Sequence, residues 1–128
     1  MVLESFTRNK EMITATFTTD KESGSIILRL AGHAGAGAKG HDVVCAGASM
    51  LAYTLAQVLT FMYEESSLHK RPHLQLKEGD TLIVAKPVAG RYNECLHAFY
   101  VVQVGYALLA RSYPQYVELI SFGETEEV

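Results

Sequence analysis

The stretch from Val43 to Tyr63 carries no charged residue, and a chain that contains such a run has to hide it. At about twenty residues it is long enough to cross a bilayer, so a membrane span is the first reading to weigh. Ser49, Thr54, Gln57 and Thr60 interrupt it, small residues are frequent, and the polar Gly40-His41-Asp42 precedes it directly. These features favour a helix that is apolar almost all round and central to a small core, with no membrane partner. The 128 residues leave room for one domain around it, residues 1–128. Composition permits that core, since 48% of the residues are apolar and 20% charged, far from the balance at which chains stay disordered.

Shorter patterns flank the apolar run. Ile13, Ala15 and Phe17 alternate with Thr14, Thr16 and Thr18, the period-two signature of a half-buried strand over Met12 to Thr19. Asp20 to Gly24 reads as a turn and Ser25 to Ala31 as a second strand, so an antiparallel hairpin is expected. Gly32 to Gly40 lacks any bulky apolar side chain and reads as a surface loop, after which Asp42 is the candidate cap of the central helix. Glu64-Glu65-Ser66-Ser67 should end that helix in solvent. His73 to Leu76 and Thr81 to Lys86 form a second hairpin around Glu78-Gly79-Asp80, and Pro87 closes it. Apolar residues recur at helical spacing from Arg91 to Ser112 until Pro114, Tyr116 to Phe122 is a last strand, and Glu124 to Val128 is a frayed tail. The order β-β-α-β-β-α-β predicts an α+β two-layer sandwich, one mixed or antiparallel sheet with two helices on a face.

Lys and Arg number 11 against 14 Asp and Glu, a net charge of −3, so no concentrated basic surface invites phosphates and nucleic acid is not an expected partner. Glu4, Arg8, Lys10 and Glu11 interrupt the N-terminus, which leaves no apolar stretch for a signal peptide. Two distant cysteines, Cys45 and Cys95, without a Cys-x-x-Cys pair, fit a reducing compartment, and the expected location is the cytoplasm.

Glycines, histidines and a cysteine converge only between Gly32 and Ser49, where three chemistries compete. Gly35-Ala36-Gly37-Ala38-Lys39-Gly40 spells G-x-G-x-x-G, but a dinucleotide fold needs a parallel strand and an acidic residue about twenty positions on, which here is still inside the helix. His33, His41, Asp42 and Cys45 offer metal donors, yet they lack the second close pair of a structural zinc site. The third reading is a nucleophile: a cysteine near a helix start lies where backbone amides favour the thiolate and can hold an oxyanion. A folded-back glycine loop would bring the His33 imidazole to Cys45 as general base and then as acid. From these residues alone, an ordinary buried Cys45 with a solvent-facing His33 stands level with that reading.

Gly32-His33-Ala34 followed by Gly40-His41-Asp42-Val43-Val44-Cys45-Ala46-Gly47-Ala48-Ser49 resembles the two-motif signature of the ribosomal-processing cysteine proteases, the Prp family. In that family a GHA motif precedes, by a short loop, a G-x-D-[IV]-V-C-A-x-x-S motif. The resemblance implies a homodimeric cysteine endopeptidase, with neither cofactor nor metal. Its substrate would be the precursor of a large-subunit ribosomal protein, L twenty-seven, whose short N-terminal extension it removes. The family's nucleophile falls on Cys45 and its catalytic histidine on His33. Asp42 and Ser49 take supporting positions: Asp42 to cap the helix or orient His33, Ser49 to hydrogen-bond near the thiol or back to a helix carbonyl. Gly32, Gly35, Gly37 and Gly40 would give the loop room for an extended peptide, and a loop so small is expected to order on binding. The chain departs from the family in roughly ten extra residues before the first strand and in a smaller, less polar loop, which bear on substrate sequence. The alternative is a noncatalytic ribosome-associated module of the same fold that holds the peptide without cutting it.

The other conspicuous residues read as structural. Cys95 is a core thiol, His69, Lys70, Arg71 and His73 a solvated cluster, His97 a surface residue, and Tyr53, Tyr63, Tyr100 and Tyr106 core or dimer contacts.

Overall fold

Alternating threonines and apolar residues build β1 (Ile13–Asp20), whose Ile13, Ala15 and Phe17 turn inward. In this computed structural model residues 12–34 and 41–123 are described, with all their side chains except those of His41 and Asp42. The Asp20–Gly24 turn returns the chain as β2 (Ser25–Ala31), antiparallel to β1 with Phe17 opposite Leu28. Helix α1 spans His41–Glu64, β3 and β4 (His73–Lys77 and Asp80–Ala85) form the second hairpin, α2 spans Tyr92–Ser112, and β5 is Val117–Ile120. The observed order is therefore the one expected, in an α+β fold with a single mixed five-stranded sheet.

The strands do not lie in chain order: across the sheet they run β3-β4-β2-β1-β5. β4 pairs antiparallel with β2, which sets Leu30 opposite Thr81 and Ala31 opposite Asp80. β5 pairs parallel with β1, Ile13 opposite Val117. Inward-facing Phe17, Leu28 and Ile83 thus form a row, and the helices cover it with Leu55, Leu59, Phe99 and Tyr106, all fully buried. The Tyr106 hydroxyl donates to the Ala48 carbonyl at 2.8 Å, which ties α2 to α1 inside this core.

Helix α1 is long and apolar enough to cross a membrane by length and composition, yet one face of it, from Val44 to Met62, belongs to the core. The helix already includes His41, so Asp42 stands in its first turn. Its far end leaves Glu64, Glu65 and Ser66 exposed, as expected, and only Ser67 of that stretch is buried. Ser66 adopts a left-handed conformation (φ 65°), and the amides of Ser66 and Ser67 donate back to the Tyr63 and Met62 carbonyls. The chain then dives inward: Ser67 and Leu68 are buried, and Leu68 bridges to Pro87 beside β4. Only the Val117–Ile120 part of the expected last strand pairs, after which Phe122 packs its ring 5.4 Å from that of Phe17.

Candidate active site

His33 owes its position to the residues on either side of it. Gly32 turns the chain out of β2 with φ +96°, and a side chain there would overlap the Met12 carbonyl, so only glycine fits. Ala34 is buried, which pins the segment on the far side. Between these anchors the His33 side chain is 55% exposed and turns towards the β3–β4 hairpin. The Gly32 amide donates to the Gly79 carbonyl at 3.1 Å, and His33 Nδ1 lies 3.9 Å from Glu78 Oε2.

Cys45 approaches from the other layer. It is half-buried near the start of α1, with Ser49 one turn further along. The two helix residues and His33 open onto one cleft of about 240 Å³, floored by Ile13, Leu30, Ala48 and Ala52 and walled by Tyr53 and the hairpin residues Leu76 to Gly79. An apolar floor with a thiol, an imidazole, a hydroxyl and the charged Lys77 and Glu78 around it suits a peptide segment better than a phosphate. Neither Cys45 nor Cys95 forms a disulfide.

Of the residues singled out by sequence, Cys45, His33, Ser49 and Gly32 are brought together here. Gly35, Gly37 and Gly40 lie outside the described residues, as does the expected ordering of their loop. For Asp42 the description reaches the backbone only. No cluster of three His, Cys, Asp or Glu suited to a metal occurs among the described residues. The dinucleotide reading fails on topology, because β2 and the strand beside it, β4, run antiparallel. Lys77, Glu78 and Gly79 are cleft residues that sequence did not mark as such, and Tyr53, expected as a core or dimer contact, is exposed and lines the cleft. No sequence pattern marks the hairpin tip: it is the β2–β4 register, with Ala31 against Asp80, that brings Glu78 near His33.

The remaining candidates behave as structural residues. Cys95 is fully buried, and burial, with the nearby Glu94 charge, pushes its thiol up to about 12. Arg71 lies over the Tyr63 ring at 4.9 Å on an otherwise exposed basic loop, and His97 is exposed, its ring 6.4 Å from that of Tyr100.

Comparison with known proteins turns on this same framework. No curated protein matches the chain. Among solved structures, the essential ribosomal processing protease Prp from S. aureus in complex with a substrate peptide superposes with a TM-score of 0.63 at 23% identity, over 86% of this chain and 99% of that one. SMU.848 from Streptococcus mutans gives 0.62 at 24%, over 88% and 97%. Prp from S. aureus with a covalently linked product peptide gives 0.60 at 23%, over 86% and 99%. These likenesses establish a shared fold. The family model for cysteine protease Prp matches residues 12–118, a span that runs from the first core strand through the cleft to the parallel ladder of β5, and the chain therefore belongs to the cysteine protease Prp family.

Proposed function

We propose that the protein is a cysteine endopeptidase in which Cys45 attacks the scissile carbonyl and His33 moves the protons. The observation that carries this reading is that a thiol from α1 and an imidazole just past the end of β2 line one cleft with an apolar floor. The Cys45 thiol gives its proton to His33 as sulfur bonds to the carbonyl carbon. Collapse of the tetrahedral adduct breaks the C–N bond, and the amine leaves with the proton from His33. Water, deprotonated by His33, then attacks the thioester, which releases the new carboxylate end and restores the thiol. Backbone amides at the start of α1 are the donors for the oxyanion. Ser49 is a hydrogen-bond partner for the thiolate or the bound peptide.

The substrate is the precursor of a large-subunit ribosomal protein, L twenty-seven, whose N-terminal extension is removed in the cytoplasm. The S. aureus relative, a ribosomal processing protease captured with a substrate peptide, supports this choice. A homodimer is supported by the apolar side chains that α1 and α2 leave exposed, Met50, Phe61, Val101, Val104 and Leu108 among them. Incubation of the reduced protein with the extended precursor, read by intact mass, tests the function. A single cut near the precursor's N-terminus by the wild type and not by Cys45→Ala is expected, and an intact precursor overturns the reading. Sedimentation velocity tests the dimer, and a monomer at all concentrations removes it.

A further inference from the structure

The β3–β4 turn is held from several sides. Besides the Gly32 amide on the Gly79 carbonyl, the Thr81 hydroxyl donates to the Lys77 carbonyl at 3.2 Å and Gln75 Nε2 to the Asp80 carbonyl at 3.3 Å. The Asp80 carboxylate lies 3.6 Å from the Arg29 guanidinium on β2. Against this braced turn rests the His33 ring, close enough that a methyl group added to Gly79 would overlap its Nε2 and Cε1 atoms. Glu78, the preceding residue, sets its carboxylate 3.9 Å from Nδ1 of the same ring.

We propose that Glu78 and Gly79 are positioning residues for His33, Gly79 by leaving open the volume that the imidazole occupies and Glu78 by setting its carboxylate beside Nδ1. This rests on His33 as the proton carrier. The glycine is the stronger of the two, because it decides where the ring can be, and a displacement of about 1 Å at a reacting group can cost a hundredfold in rate. The Glu78 pair is exposed on both sides, so solvent and salt weaken it.

Gly24 supplies the control. It has φ +75° in the other hairpin, against +79° for Gly79, and a methyl there would meet nothing within 4 Å. Gly24→Ala therefore carries the backbone strain alone, and Gly79→Ala carries the strain and the displaced ring. Measured on the precursor, Gly79→Ala should lower kcat about ten- to a hundredfold with KM nearly unchanged, whereas Gly24→Ala should leave both as in the wild type. Gly79→Asn tolerates the left-handed backbone but carries the same Cβ, so it must match Gly79→Ala. In a His33→Ala background, Gly79→Ala should have no further effect, which a merely structural residue would not satisfy. Glu78→Gln should reduce kcat about two- to fivefold, with Glu78→Asp recovering most of the loss and 1 M salt erasing the difference.

Iodoacetamide alkylation of Cys45 at neutral pH gives the same comparison without the precursor. If His33→Ala leaves both alkylation and turnover unchanged, the assignment of His33 fails and the positioning role with it. If His33→Ala is impaired while Gly79→Ala and Gly79→Asn match Gly24→Ala, the positioning role alone is overturned.

Discussion

Two cysteines occupy nearly the same place in two helices, the fifth residue of α1 and the fourth of α2, yet their surroundings are opposite. A helix start favours a thiolate through its unpaired amides, and by that criterion alone Cys45 and Cys95 would rank together. Cys95 is sealed against the sheet, where desolvation outweighs the helix dipole and holds the thiol neutral up to about 12. Cys45 opens on a cleft shared with an imidazole. Position along a helix therefore does not make a cysteine reactive. Under the proposed mechanism, access to water and a proton acceptor does: burial withholds both from Cys95, while Cys45 shares its cleft with His33.

The sharpest way to break this contrast is to exchange roles by deletion. Cys45→Ala should reduce precursor cleavage at least about a thousandfold in a kinetic assay while leaving the melting temperature close to that of the wild type. Cys95→Ser should do the reverse, keeping cleavage and losing about 1–3 kcal/mol in urea denaturation, because a hydroxyl replaces a buried thiol. The pH dependence follows with its sign. Below the ordinary thiol value of 9.0 Cys95 is neutral in both states, and above it only the unfolded chain releases the proton, so stability falls as pH rises from there towards about 12. Cys95→Ala should flatten part of that fall in denaturation series at pH 8 to 11. The Tyr106 phenol, also pushed up by burial, contributes the remainder from a higher starting pH. Tyr106→Phe cuts the tie between the two helices and should cost about 1 kcal/mol, seen as a lower denaturation midpoint with an unchanged slope. The smallest effect is a gain: Ser66→Gly relieves the left-handed end of α1 and should add about 0.5–1 kcal/mol in the same assay.

Legibility from sequence followed locality. The threonine alternation of β1, the apolar run of α1 and the Glu78-Gly79-Asp80 turn are properties of neighbouring residues, and each became the element its pattern specified. The pairings of β4 with β2 and of β5 with β1 join segments about fifty and a hundred residues apart, and no local pattern encodes such a register. The cleft divides along the same line. His33, Cys45 and Ser49 belong to two motifs a short loop apart and could be read together, whereas Glu78 and Gly79 reach His33 only through the β2–β4 register. Ser67 departs from its expected exposure for a related reason: its polar neighbours suggest solvent, but the next residue, Leu68, bridges to the distant Pro87 and both are buried.

The parallel ladder between β1 and β5 carries a consequence for synthesis. Ile13, on the cleft floor, is held at its amide by the Tyr116 carbonyl at 2.8 Å and flanked by Val117. A ribosome-bound chain that has emerged only through α2 already contains Cys45, His33 and the whole β3–β4 turn, but one flank of the floor strand has no neighbour. Closing a loop of about a hundred residues is slow relative to forming the hairpins. Cys45 is therefore made early and the floor of its cleft is completed late, once Val117 has emerged and the chain has closed on its own first strand.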